Sequence, residues 1–120
     1  MRTLLLTAAL CALAACGSEE DDRPLDAEYL VPAIFRPSCA TAACHSSATA
    51  REGLVLDTVE GVCLASDPIN GRGPLSAFMK EDAETRMPLD GPVPYADIAL
   101  LDLWYYEEPG IPFEHYEGCP

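Results

Sequence analysis

Positive charge is scarce in this 120-residue chain: seven Lys and Arg face twenty Asp and Glu, a net charge of −13. A protein that grips a nucleic-acid backbone needs a basic patch, and this composition argues against one. Long apolar runs are missing too. The longest, Leu4 to Ala15, is too short to cross a bilayer as a helix. Neither an internal repeat nor a β-hairpin signal can be found. A Ser-His-Asp order, a phosphate-binding glycine loop and paired catalytic carboxylates are likewise missing, so no enzyme is expected. What the chain does have is eleven Pro, eight Gly and six Cys. The Pro and Gly predict short elements with many turns, in one domain at this length.

The six cysteines divide by position. Met1-Arg2-Thr3 is a short positive start, and the Leu4–Ala15 run has the length of a signal-peptide core. It ends Leu13-Ala14-Ala15-Cys16-Gly17, which resembles a bacterial lipobox. That resemblance implies cleavage before Cys16, with the Cys16 thiol carrying a diacylglycerol and the new amine an acyl chain. Several buried chains hold a protein on a membrane where one does not. Residues 1–15 are thus read as a lipoprotein signal peptide that takes Cys11 and Arg2 with it. The remainder carries six Lys and Arg against twenty acids, or −14. The expected location is exported and lipid-anchored, facing the periplasm or on the outer membrane; Gly17 lacks the Asp associated with inner-membrane retention.

Residues 16–27 form the lipidated Cys and an acidic tether, running Gly17-Ser18-Glu19-Glu20-Asp21-Asp22-Arg23-Pro24. Residues 28–120 form the domain, expected to be mostly α with long loops. Leu30, Ile34 and Phe35 recur at helical spacing ahead of Pro37, which should end that helix. Leu54-Val55-Leu56 reads as an extended segment. Residues 67–74 are turn material. Leu75 to Lys80 suits a short helix with Leu75, Phe78 and Met79 inward. Pro94 to Glu107 is the strongest helix, with Ile98, Leu100, Leu101, Trp104 and Tyr105 on one broad apolar face. Pro109-Gly110 should stop it, and the tail should pack back on the domain.

The sharpest local feature is Cys39-Ala40-Thr41-Ala42-Ala43-Cys44-His45. C-x-x-C-H is the attachment signature of c-type haem: two thiols bond the edge of the macrocycle while the following imidazole reaches the iron. Here the thiols are five positions apart, roughly 140° around an ideal helix rather than about 60°. The segment must bulge, and Ala40, Ala42 and Ala43 are small enough to permit it. Met87, in Arg86-Met87-Pro88, lies 42 residues beyond His45, enough chain to approach the other face of a ring. A thioether opposite His raises a haem's potential.

Short helix, Cys…Cys-His, acidic loop, Met-Pro and closing helix together resemble a small class I cytochrome c, from about Tyr29 to Pro109. The chain is similar to bacterial haem-domain lipoproteins with a widened C-x-x-x-x-C-H. The resemblance implies one covalent haem c on Cys39 and Cys44, iron ligation by His45 and Met87, and single-electron transfer. It also implies that the first and last helices close the pocket, with Phe35 and Trp104 near their contact. Ser46 stands where a Gly often follows the His.

Other readings of the same residues stay open. Cys39 and Cys44 can instead form a short disulfide in an oxidising compartment, giving a haem-free, disulfide-stabilised surface lipoprotein with a binding or scaffolding role. Met79 and His115 are rival iron ligands. A zinc site lacks a fourth ligand and paired C-x-x-C spacing. Cys63 and Cys119, the two left over, are expected to join and hold the tail. With Lys80 the sole Lys, a redox partner should present a basic face; the other expected partner is the membrane, through the lipid.

Overall fold

The computed structural model describes residues 20–108, 111–112 and 116–120. The expected signal peptide, Cys16, Pro109-Gly110 and His115 lie outside the described residues. The domain is mostly α. A first helical run comprises α1 (Ala27–Leu30), a π-helical turn (Val31–Phe35) and α2 (Arg36–Ser38). It is followed by α3 (Val59–Ser66), a 3-10 turn at Leu75–Met79, and α4 (Tyr95–Tyr105). None of the described helices is long and apolar enough to cross a membrane.

Asp26 starts the first run, its carboxylate accepting from the Glu28 amide at 2.7 Å, as an N-cap should. Leu30, Val31, Ile34 and Phe35 are all buried, the face expected from their spacing. Pro37, however, does not end the run. The backbone widens instead, with the Arg36 amide bonding back five residues to the Val31 carbonyl. A wide turn relieves the clash that a proline ring makes with the carbonyl four residues back, so Pro37 is accommodated in the first turn of α2, after Arg36.

The helix α3 has no counterpart in the sequence reading. Thr58 caps it, its hydroxyl accepting from the Gly61 amide at 3.1 Å. Gly61 lies so close to the extended Leu54–Leu56 segment that a Cβ there would sit 2.1 Å from the Val55 carbonyl oxygen. That obstacle is backbone and cannot swing aside. Gly61→Ala should therefore destabilise the domain despite alanine's better helix propensity, by about 1–3 kcal/mol for overpacking. A lowered urea midpoint at unchanged slope is the expected result.

The turn at Leu75–Met79 buries Leu75, Ser76 and Met79 but leaves Phe78 40% exposed. Phe78 was expected to point inward on a 3.6-residue period. Ser76 and Met79, which eclipse at three residues per turn, are instead the pair that turns inward together. The Ser76 hydroxyl donates to the Asp102 carboxylate, which also pairs with Lys80 at 3.0 Å, fastening the turn to α4.

In α4, Ile98, Leu100, Leu101, Trp104 and Tyr105 are buried. Pro94 is the cap residue rather than the first helical one, and the helix closes at Tyr105, because Tyr106 is already extended (φ −108°, ψ 128°). Tyr106–Glu108 (β1) then pairs antiparallel with Ile111–Pro112 (β2), a small ladder not foreseen from sequence. The acidic tether is not wholly free, since Arg23 bridges Asp21 and Asp97 in the first turn of α4. Cys63 on α3 is disulfide-bonded to Cys119, with their Cα atoms 5.8 Å apart.

Candidate functional site

The two cysteines and the histidine leave the first helical run together. The Phe35 carbonyl accepts from both Cys39 and Ala40 amides, at 2.7 and 3.0 Å, which closes the last turn. The chain then swings outward. A tight turn forms where the Cys44 amide bonds the Thr41 carbonyl at 2.9 Å, and Thr41, Ala42 and Ala43 are exposed. The His45 amide returns to the Cys39 carbonyl at 3.1 Å. In C-x-x-C-H the histidine lies four positions after the first cysteine, the spacing of an α-helical hydrogen bond. Here it lies six positions after, yet makes the bond to that same carbonyl. The two additional residues are looped out into solvent, where small alanines cost nothing in packing.

The imidazole is fixed as well. Its Nδ1 lies 2.9 Å from the Arg51 carbonyl oxygen. A carbonyl can only accept, so Nδ1 carries the proton, and in the neutral ring Nε2 holds the free lone pair. Ligating histidines are oriented by this kind of bond from the far nitrogen. Arg51 is presented by a strained turn: Ala50 and Glu52 on either side have φ of 43° and 55°. Such left-handed conformations cost a non-glycine residue roughly 1–2 kcal/mol and persist where the surroundings enforce them. Those surroundings are tight. The Ala50 amide bonds the Ser46 carbonyl at 2.7 Å, and the Arg51 amide bonds the Cys44 carbonyl at 3.1 Å.

A second tie comes from Asp57, whose carboxylate accepts from the Ser47 amide and hydroxyl at 2.9 and 2.8 Å. Those bonds hold its carboxyl below the usual carboxylate range. The Leu56 amide also donates to the His45 carbonyl at 2.7 Å, so the Leu54–Leu56 strand-like segment forms the wall behind the loop. The Ser46 hydroxyl is buried without a hydrogen-bond partner among the described residues.

Cys39 and Cys44 are free thiols in unlike settings. Cys39 is 8% exposed, and burial, with the Cys44 thiol second, pushes its pKa up to about 12. Cys44 is half-buried. A soluble alkylating reagent should therefore label Cys44 first, with Cys39 labelled only in denaturant, because the thiolate is the nucleophile; peptide mass mapping of a time course reads the order. Among the described residues, no three His, Cys, Asp or Glu side chains converge as metal ligands do.

Met87 lies on the loop after the 3-10 turn, its amide bonded to the Phe78 carbonyl at 2.7 Å. It is half-buried, whereas the rival Met79 is only 3% exposed and part of the core. Phe35 and Trp104 line one crevice with Leu101 and Tyr105, with free space of about 10 Å³, close to one water. Arg51, Asp57 and Ser47 were not picked out from sequence. The Arg51 contribution is a main-chain carbonyl, which no side-chain pattern announces. Comparison with family models, curated proteins and solved structures finds no match to this chain.

Proposed function

We propose that this chain is a membrane-anchored, c-type cytochrome-like electron carrier with one covalent haem. The observation that carries the reading is the His45 amide bonded to the Cys39 carbonyl. It restores, across a looped-out turn, the backbone relation of C-x-x-C-H. The Nδ1 bond to Arg51 supports it independently, by leaving Nε2 as the donor atom.

The residues present fit the group. Cys39 and Cys44 would hold it by thioether bonds, and His45 and Met87 would ligate its iron. When bound, haem would supply a one-electron iron couple, which a methionine thioether ligand tunes to higher potential. The chain's own contribution is to aim His45 through Arg51, to exclude water behind Phe35 and Trp104, and to hold Met87 by the Phe78 carbonyl. Lipidation of Cys16 would keep the carrier at the membrane, facing the periplasm or on the outer membrane, with the acidic segment as its tether. With a charge of −14 once residues 1–15 are gone, its redox partner presents a basic face, and their association weakens with salt.

Expression with a cytochrome c maturation system should give a red product that keeps its haem stain on a denaturing gel. A colourless product whose Cys39 and Cys44 are joined in a disulfide would overturn the reading. It would leave a haem-free lipoprotein with a binding or scaffolding role.

A further inference from the structure

Four aromatic rings outside the Cys–His loop make a continuous file. Trp104, the sole tryptophan, lies 5.0 Å from Tyr116 between ring centroids, at a tilt of 39°. Tyr116 stacks on Tyr105 at 5.3 Å and 21°. Tyr105 meets Tyr106 edge-on at 4.8 Å and 80°. These separations are those of aromatic pairs in contact.

The file has direction. Trp104 and Tyr105 are buried, while Tyr106 and Tyr116 are half-buried. Trp104 and Tyr105 are neighbours in sequence, and α-helical geometry points them about 100° apart. The tail bridges that gap by inserting Tyr116 against both rings. Tyr116 is itself placed three residues before the disulfide-bonded Cys119, and its hydroxyl lies 3.4 Å from the Ser66 carbonyl. A ring brought back by the C-terminal tail therefore completes the path.

We propose that Trp104, Tyr116, Tyr105 and Tyr106 form a one-electron conduit, which moves an oxidising equivalent from the buried indole to the half-exposed phenol of Tyr106. The initiating oxidant belongs to the one-electron class, peroxide-derived or a high-valent metal. It takes one electron from the Trp104 indole and is reduced by that electron. An electron then passes along the rings from Tyr106 to Trp104, restoring the indole, and the Tyr106 hydroxyl proton leaves to water. The net change is one electron and one proton lost from Tyr106. Burial pushes the Tyr105 and Tyr116 phenols up, so both remain protonated and neutral at rest. The conduit stands on ring geometry and does not require the haem reading.

Having a single tryptophan makes the path testable in the purified protein. Red-edge laser photoionisation creates the radical at Trp104, with a hexaamminecobalt(III) salt taking up the ejected electron and being reduced to cobalt(II). In the wild-type protein the indole radical should decay as a phenoxyl radical grows, at a rate independent of protein concentration. Tyr116→Phe retains an aromatic ring but removes the oxidisable phenol, so the indole radical should live several-fold longer. Tyr106→Phe should abolish spin-trap adducts at position 106 in peptide maps, and Tyr95→Phe, on an exposed tyrosine outside the file, should change nothing. Circular dichroism verifies that each variant is folded. Equal indole-radical lifetimes in wild type and Tyr116→Phe would overturn the conduit, as would loss of the phenoxyl signal in Tyr95→Phe.

Discussion

Replacing both Cys63 and Cys119 with Ser is expected to lower stability by about 4 kcal/mol, since the bridge closes a loop of 56 residues' separation in the chain-entropy account. The loss should exceed the entropic part, because the bridge holds a seam. The Glu117 carbonyl accepts from two donors at once: the Ala27 amide at 3.0 Å, at the start of α1, and the Trp104 indole nitrogen at 3.1 Å. If the tail departs, a buried indole N–H and a helix-terminal amide both lose their acceptor, and each such orphan costs about 1–3 kcal/mol. The expected result is a lower urea midpoint, with the emission of the single tryptophan shifting to the red before global unfolding. An independent route attacks the same seam without touching sulfur. Gly118 has φ of 79°, and a Cβ there would sit 2.7 Å from the Asp26 carboxylate and 2.8 Å from the Ala27 amide nitrogen. Gly118→Ala should thus move tryptophan emission in the same direction with the disulfide intact. If the double Cys variant unfolds at the wild-type midpoint with unchanged emission, the tail is not the clamp described.

The helices carrying most of the core were legible because burial leaves a period in the sequence. Leu30, Ile34 and Phe35, and the run from Ile98 to Tyr105, are where the structure buries its largest side chains. Helix α3 was missed because Gly61 interrupts a short stretch with no clear apolar face. Its one local signal was Thr58, a capping residue three positions before the amide it accepts from. Phe78 was placed inward by a 3.6-residue period, whereas the 3-10 turn buries Ser76 with Met79. Pro37 was read as a terminator because a widened π turn leaves no side-chain signature.

The site divides along the same line. Side-chain chemistry singled out Cys39, Cys44, His45 and Met87, and geometry demanded a bulge between the cysteines. The closure of that bulge, and what aims the imidazole, depends on main-chain groups. The carbonyls of Cys39, Thr41 and Arg51 do this work, and every residue type carries a carbonyl. The small, exposed Ala42 and Ala43 show only that the bulge faces solvent.

A looped-out spacer should be dispensable, and that gives the sharpest test of the proposed haem site. Deleting Ala42 and Ala43 leaves Cys39-Ala40-Thr41-Cys44-His45, in which the histidine falls four positions after the first cysteine. The bond from its amide to the Cys39 carbonyl then becomes an ordinary helical one. Haem attachment should be retained in this variant, with an unchanged low-spin spectrum, since Nδ1 still faces the Arg51 carbonyl. His45→Ala should instead abolish the low-spin spectrum, because the axial nitrogen is gone while both thiols remain. Met87→Ala should lower the reduction potential with the haem still covalently bound, the thioether being the ligand that raises it. The three variants separate attachment, proximal ligation and distal ligation in one spectroscopic series. A deletion variant that loses haem while wild type binds it would make the Thr41–Cys44 turn part of the attachment site rather than a spacer. An unchanged spectrum in both His45→Ala and Met87→Ala would remove these residues from the iron altogether.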